Sequence, residues 1–215
     1  MFSRLLACLV TVVATQLAAA SAAPSPPFAL GATWTYRYTV TRPPEAAVVG
    51  TLTTRYDGLA TYRGQRYYVT TVSDTINPNV AEKDYYEWTG TQFRQAALQT
   101  DTADSTLEIV FDNAVPLDAS QSASGTAETY VNGNDQGPIP WSTTVTSLGT
   151  DTVTVPAGTF HDVQKWQTTF QFGVVRQVQV AEVVGLVDLR VDSEYYANGV
   201  LKSTTSQELI NGPVQ

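Results

Sequence analysis

From Thr33 onward large apolar and polar residues alternate one by one: Trp34, Tyr36, Tyr38 and Val40 interleave with Thr33, Thr35, Arg37 and Thr39. A period of two is the signature of a half-buried β-strand, because successive side chains point to opposite faces. The texture persists to the C-terminus. Thr, Val and Tyr dominate, turn signals return every 8 to 14 residues, and no amphipathic helix stands out. Many short strands joined by tight turns specify an antiparallel sheet.

The punctuation places the turns. Arg42-Pro43-Pro44 ends the first strand, Arg63-Gly64 makes a tight turn, and Thr75 to Val80 with Pro78 is a loop. Thr89-Gly90 heads a hairpin. Asn132-Gly133-Asn134-Asp135 is a strong turn, and Pro138 and Pro140 hold the following stretch at an edge. Gly173 breaks a long strand that starts at Phe160, and Asn198-Gly199 fits a type I′ hairpin turn. The spacing predicts about 11 to 13 strands. So many sequential hairpins imply an all-β antiparallel meander, curved into an open sheet or half-barrel. A two-sheet sandwich is the alternative.

The N-terminus reads as a secretory signal. Arg4 supplies the positive charge, Leu5 to Leu17 is mostly apolar, and Ala18 to Ala23 offers small residues for cleavage. Cleavage after Ala22 fits Ala20-x-Ala22. The apolar stretch is too short for a permanent span of about 30 Å of hydrocarbon. Residues 1–22 are therefore expected to be a signal peptide, 23–27 a Pro-rich tether and 28–215 one all-β domain. Cys8 precedes most of the apolar stretch, so it is not placed as a lipobox cysteine. Without it the exported chain has no cysteine and depends on its core for stability. The expected location is the periplasm or the exterior.

Charge narrows the partners. Loss of Arg4 leaves 11 basic against 20 acidic residues. That excess argues against nucleic acid and anionic lipid headgroups bound by general electrostatics. No integral membrane span is expected. No phosphate-binding loop of the Walker or dinucleotide type occurs.

Catalytic and metal signatures are equally absent, so no cofactor is expected. His161 is the only histidine, which leaves a zinc site without ligands. It follows a turn and reads as a surface residue. Asp188, Asp192 and Glu194 share one face of an alternating strand, with Val187, Leu189, Val191 and Tyr195 opposite. This is the pattern of a solvated sheet face. Glu82, Asp84 and Glu87 beside Tyr85, Tyr86 and Trp88 read as core aromatics with solvated neighbours.

A set of short motifs carries a resemblance. Gly31-x-x-Trp34-x-Tyr36 opens the domain, Val155-Pro156-Ala157-Gly158-Thr159-Phe160 marks a central turn, and Val184-Gly185-Leu186-Val187 comes late. Pro156 pre-sets φ at the second position of a type I turn and Gly158 closes it. Gly185 suits a bulge or sharp bend. The set resembles a broad group of exported bacterial proteins and looks like the open-barrel envelope proteins of the LolA, LolB and LppX type. The resemblance implies a half-barrel holding a lipid or acyl chain in its concavity. Trp34, Tyr36, Tyr68, Trp88, Trp166 and Phe170 are then the expected apolar lining. Two other readings follow from the residues. A carbohydrate-binding or protein-interaction domain would need Tyr85, Tyr86 or Trp141 in a solvent-facing row. A hydrolase would need two acids converging in a cleft, at least one desolvated.

Overall fold

The computed structural model describes residues 28–88, 93–116 and 121–214. The expected signal peptide and the whole of the tether lie outside them. Twelve strands follow one another: β1 (Thr33–Thr41), β2 (Val48–Tyr62), β3 (Gln65–Asp74), β4 (Ala81–Trp88), β5 (Phe93–Asp101), β6 (Thr106–Pro116), β7 (Gln121–Val131), β8 (Asn134–Val155), β9 (Gly158–Phe172), β10 (Val175–Val184), β11 (Val187–Ala197) and β12 (Val200–Asn211). Each pairs antiparallel with the next. β1 also pairs with β12, from Thr35 opposite Asn211 to Thr41 opposite Thr204. The all-β meander is as the alternation implies. Its sheet is not left open as a half-barrel and does not split into a sandwich. It closes, which removes the unpaired edges that a half-barrel would expose.

The turns follow their residues. Asn198 and Gly199 both have positive φ (51° and 75°), as do Asn132 and Gly133 (51° and 76°). Two successive positive φ values define the type I′ hairpin turn. Pro156 and Ala157 form the β8–β9 turn between the paired Val155 and Gly158. Gly185, with φ 59°, sits in the β10–β11 turn and not in a bulge. Pro138 and Pro140 lie inside β8, on the stretch that pairs with β7 before the register with β9 begins at Trp141. That segment is a local edge, where a missing N–H costs no ladder bond.

Two long hairpins curl back onto the wall. At the β2–β3 tip, Tyr62 stacks on Tyr85 of β4 with centroids 4.2 Å apart. Arg63 there reaches Glu108 of β6 at 2.9 Å and lies 4.0 Å over the Tyr130 ring of β7. At the β8–β9 tip, Ala157 N–H donates to Leu209 O at 3.0 Å, and Arg190 donates to Thr154 O at 3.1 Å. Val153, Val155 and Val163 of that hairpin pack with Val187, Leu189 and Leu209. The fold-back follows from two register shifts in β8–β9, near Gly149 and Val153, together with positive φ at Gly149 and Asp162. Bulges bend and twist a strand pair.

The ends of the chain are stitched together. Trp34 Nε1 donates to Pro213 O at 2.8 Å. Gly212 has φ 151°, and a Cβ there would stand 3.1 Å from the Trp34 Cα. Gly212→Ala is expected to destabilise the fold by about 1–3 kcal/mol, since neither backbone can yield cheaply. Urea unfolding followed by tryptophan fluorescence checks it.

Candidate functional site

Strand direction alternates, so one end of the barrel carries both chain termini of the sheet and the turns at 63–64, 156–157 and 185–186. We refer to it as the terminal end. Trp88 closes β4 at this end, and Tyr68 lies near the start of β3.

Bulky rings fill the interior behind it. A barrel's diameter grows with strand number, and about eight strands already give an interior that side chains just fill. Twelve need larger fillers. Phe111 stands edge-on to Trp141 at 5.7 Å, Trp141 stacks on Phe170 at 6.4 Å, and Phe170 on Phe172 at 6.4 Å. Tyr86, Leu98, Ile109, Val115 and Ala127 complete this cluster, and half-buried Phe28, Tyr68, Trp88 and Leu186 pack against it. A second cluster holds Trp34, Tyr36, Tyr38, Val40, Leu52 and Tyr56. Phe28 and Tyr68 touch both clusters. Phe28 meets Trp34 edge-on at 4.7 Å, and Tyr56 stacks on Tyr68 at 6.3 Å.

The six lining residues expected from sequence are thus unevenly placed. Trp34 and Tyr36 are buried in the second cluster and Phe170 in the first, while Tyr68 and Trp88 border the first as half-buried rings. Trp166 stands apart, packed against Ala181, Val183 and Val191. The aromatics needed for a solvent-facing row are buried: Tyr85, Tyr86 and Trp141 are each 6% exposed or less.

Polar groups share the interior. Glu82 and Asp84 are buried on β4, contrary to their reading as solvated neighbours; only Glu87 is exposed. Gln95 donates to Asp84 Oδ1 at 2.7 Å. Burial pushes the Asp84 carboxyl up to about 7, against the pull of hydrogen bonds from Gln95 and Tyr86. Burial, and then the nearby Asp84 charge, holds the Tyr86 hydroxyl well above its ordinary value.

Asp188 also departs from its expected face. The β10–β11 register shifts between Glu182 and Val183, so Val183 faces Asp188 and Leu189 becomes the extra residue. Asp188 is buried with Val183, whereas Asp192 and Glu194 remain exposed. Burial alone raises its carboxyl to about 7, and its charge helps hold Tyr36 high. Its Oδ1 has no hydrogen-bond partner.

On one more strand the polar residues face inward. On β10, Gln177 and Gln179 are buried while Val178 and Val180 lie on the other face. Gln177 donates to Tyr195 OH at 3.1 Å. With Ser193, Ser203, Thr205 and Gln207 these form a buried polar stripe across β10–β12. The signal was in the sequence, as glutamines in step with the buried Tyr195 register, but only the pairing reveals it.

His161 is exposed, with Nδ1 3.2 Å from Thr152 Oγ1 across the hairpin. Among the described residues no three His, Cys, Asp or Glu side chains group as metal ligands, and no helix is long and apolar enough to cross a membrane.

No family model and no curated protein matches this chain. Among solved structures, a protein of Bacteroides fragilis NCTC 9343, described as exported and YmcC-like in fold, aligns with a TM-score of 0.40 at 15% identity. The alignment covers 87% of this chain and 97% of that one. A likeness of that size transfers neither fold nor activity.

Proposed function

We propose that the protein is a non-catalytic binding protein of the cell envelope, exported by residues 1–22, that holds an apolar chain of lipid or fatty-acid type at the terminal end of the barrel. One observation carries this reading. Phe28, Tyr68, Trp88 and Leu186 are each half-buried, and all four pack against one fully buried cluster that holds Tyr86, Phe111, Trp141 and Phe170. Large apolar side chains left partly wet over an apolar floor gain about 25 cal/mol per Å² when a ligand covers them. Sites of this kind are concave, mostly apolar and placed at barrel mouths. The acidic surface suits a neutral or tail-first ligand better than an anionic headgroup held by charge.

The interior acids do not recommend a hydrolase. Asp84 is spent on Gln95 and Tyr86. Asp188 belongs to a strand on the opposite arc of the ring, seven places away in strand order by one route and five by the other.

Titration with a long-chain fatty acid, followed by tryptophan fluorescence, tests the reading. Saturable binding is expected, and Trp88→Ala should weaken it roughly tenfold, or about 1.4 kcal/mol, with the circular dichroism spectrum unchanged. Unaltered affinity in Trp88→Ala and in Tyr68→Ala would place the ligand elsewhere.

A further inference from the structure

The outside of a closed barrel is convex, yet one sector of this wall is dented. Five consecutive strands in the ring, β9, β10, β11, β12 and β1, present a groove of about 460 Å³. This is within the roughly 300–1,000 Å³ of small-molecule sites. The register explains the dent. One row across the wall reads Thr39, Ser206, Asp192, Val180 and Gln167, in paired order. The next reads Thr41, Thr204, Glu194 and Val178. Most of these are short side chains.

Longer side chains wall the groove on both sides. On one, Arg37, Glu208, Arg190, Glu182 and Lys165 form a continuous ion-pair ladder across the same five strands. Every cation in it is paired. On the other, Arg176 lies 4.8 Å over the Tyr196 ring, whose hydroxyl donates to Glu194 Oε2 at 2.7 Å.

The lining itself holds no lysine or arginine. Its charges are Asp192 and Glu194, two residues apart on one strand and so about 6.6 Å from each other along it. Val180 and Val178 stand directly opposite them on β10, the strand whose glutamines point inward. Two carboxylates at this spacing, with an apolar strip alongside and hydroxyls from Thr39, Thr41, Thr204 and Ser206, match one ligand chemistry. Each carboxylate takes an ammonium, the valines cover a short methylene chain, and the hydroxyls accept the remaining N–H donors.

We propose that this outer groove binds a small α,ω-diamine or polyamine, with Asp192 and Glu194 as its two anchoring anions. The site is on the outer face and does not depend on the apolar-chain reading of the interior.

Isothermal titration calorimetry of the purified protein with 1,4-diaminobutane tests the proposal, with 1-aminobutane as the single-charge control. Saturable binding is expected for the diamine, weakened roughly tenfold in Asp192→Asn and again in Glu194→Gln. The monoamine should bind at least about tenfold more weakly than the diamine. Both substitutions are at exposed positions, and an unchanged thermal midpoint without ligand verifies that they fold. No saturable heat up to about 10 mM diamine overturns the proposal. So does diamine binding that survives both substitutions, or that the monoamine matches.

Discussion

Trp141→Ala is expected to cost about 3–5 kcal/mol of stability, enough to threaten folding at physiological temperature. Trp141 is 2% exposed and sits at the centre of the aromatic chain, between Phe111 and Phe170. Truncation empties the largest side chain in that part of the barrel, and closed hydrogen-bonded walls collapse poorly around a void. It also removes the Nε1 donor to Thr126 O at 3.1 Å, which ties β8 to β7. Trp141→Phe keeps the ring packing and loses that bond, so it should cost far less. Equilibrium unfolding in urea separates the two variants. Near-equal losses would show that the ring stack contributes little.

The second large effect is on pH dependence. Asp84 and Asp188 are both raised to about 7 by burial. An unfolded aspartate titrates near 3.9. The folded state therefore binds protons more tightly, and the sign is the reverse of the usual salt-bridged carboxylate. Stability from these groups is complete below the unfolded value and is lost as pH rises toward the folded one. The full loss for a single group is of order 4 kcal/mol. The thermal midpoint should therefore fall between about pH 4 and pH 7 and level off above that. Asp188→Asn should flatten that slope and raise stability at the alkaline end, because its Oδ1 forgoes no hydrogen bond when the charge is removed. A midpoint that rises over this range, or a slope that Asp188→Asn leaves intact, would contradict the assignment.

Much of the fold was legible because local rules and the global sheet agree. Trp34 to Val40 alternates as written, and Asn198-Gly199, Arg63-Gly64 and Asn132-Gly133 turn where expected. Closure was not legible. It rests on β1 meeting β12 across most of the chain length, and no local pattern encodes that pairing. The β8 strand absorbs Pro138 and Pro140 because that stretch pairs with β7 alone, as the edge reading of the two prolines expects.

The site was legible only in part. Trp34, Tyr36 and Phe170 announce themselves by size and alternation. Asp188 and the β10 glutamines do not, because a register shift or an inverted face moves a whole set of side chains across the sheet. Alternation assigns two faces but does not say which is inside. The buried Glu82 and Asp84 break the rule that carboxylates stay wet, and such exceptions appear only with their partners.

Native mass spectrometry on the protein isolated without detergent distinguishes a barrel that carries an apolar chain from an empty one. The expected spectrum carries an additional mass of lipid or fatty-acid size that is released on denaturation and depleted in Trp88→Ala. A clean apo mass, together with no thermal shift from added fatty acid or phospholipid, would contradict it.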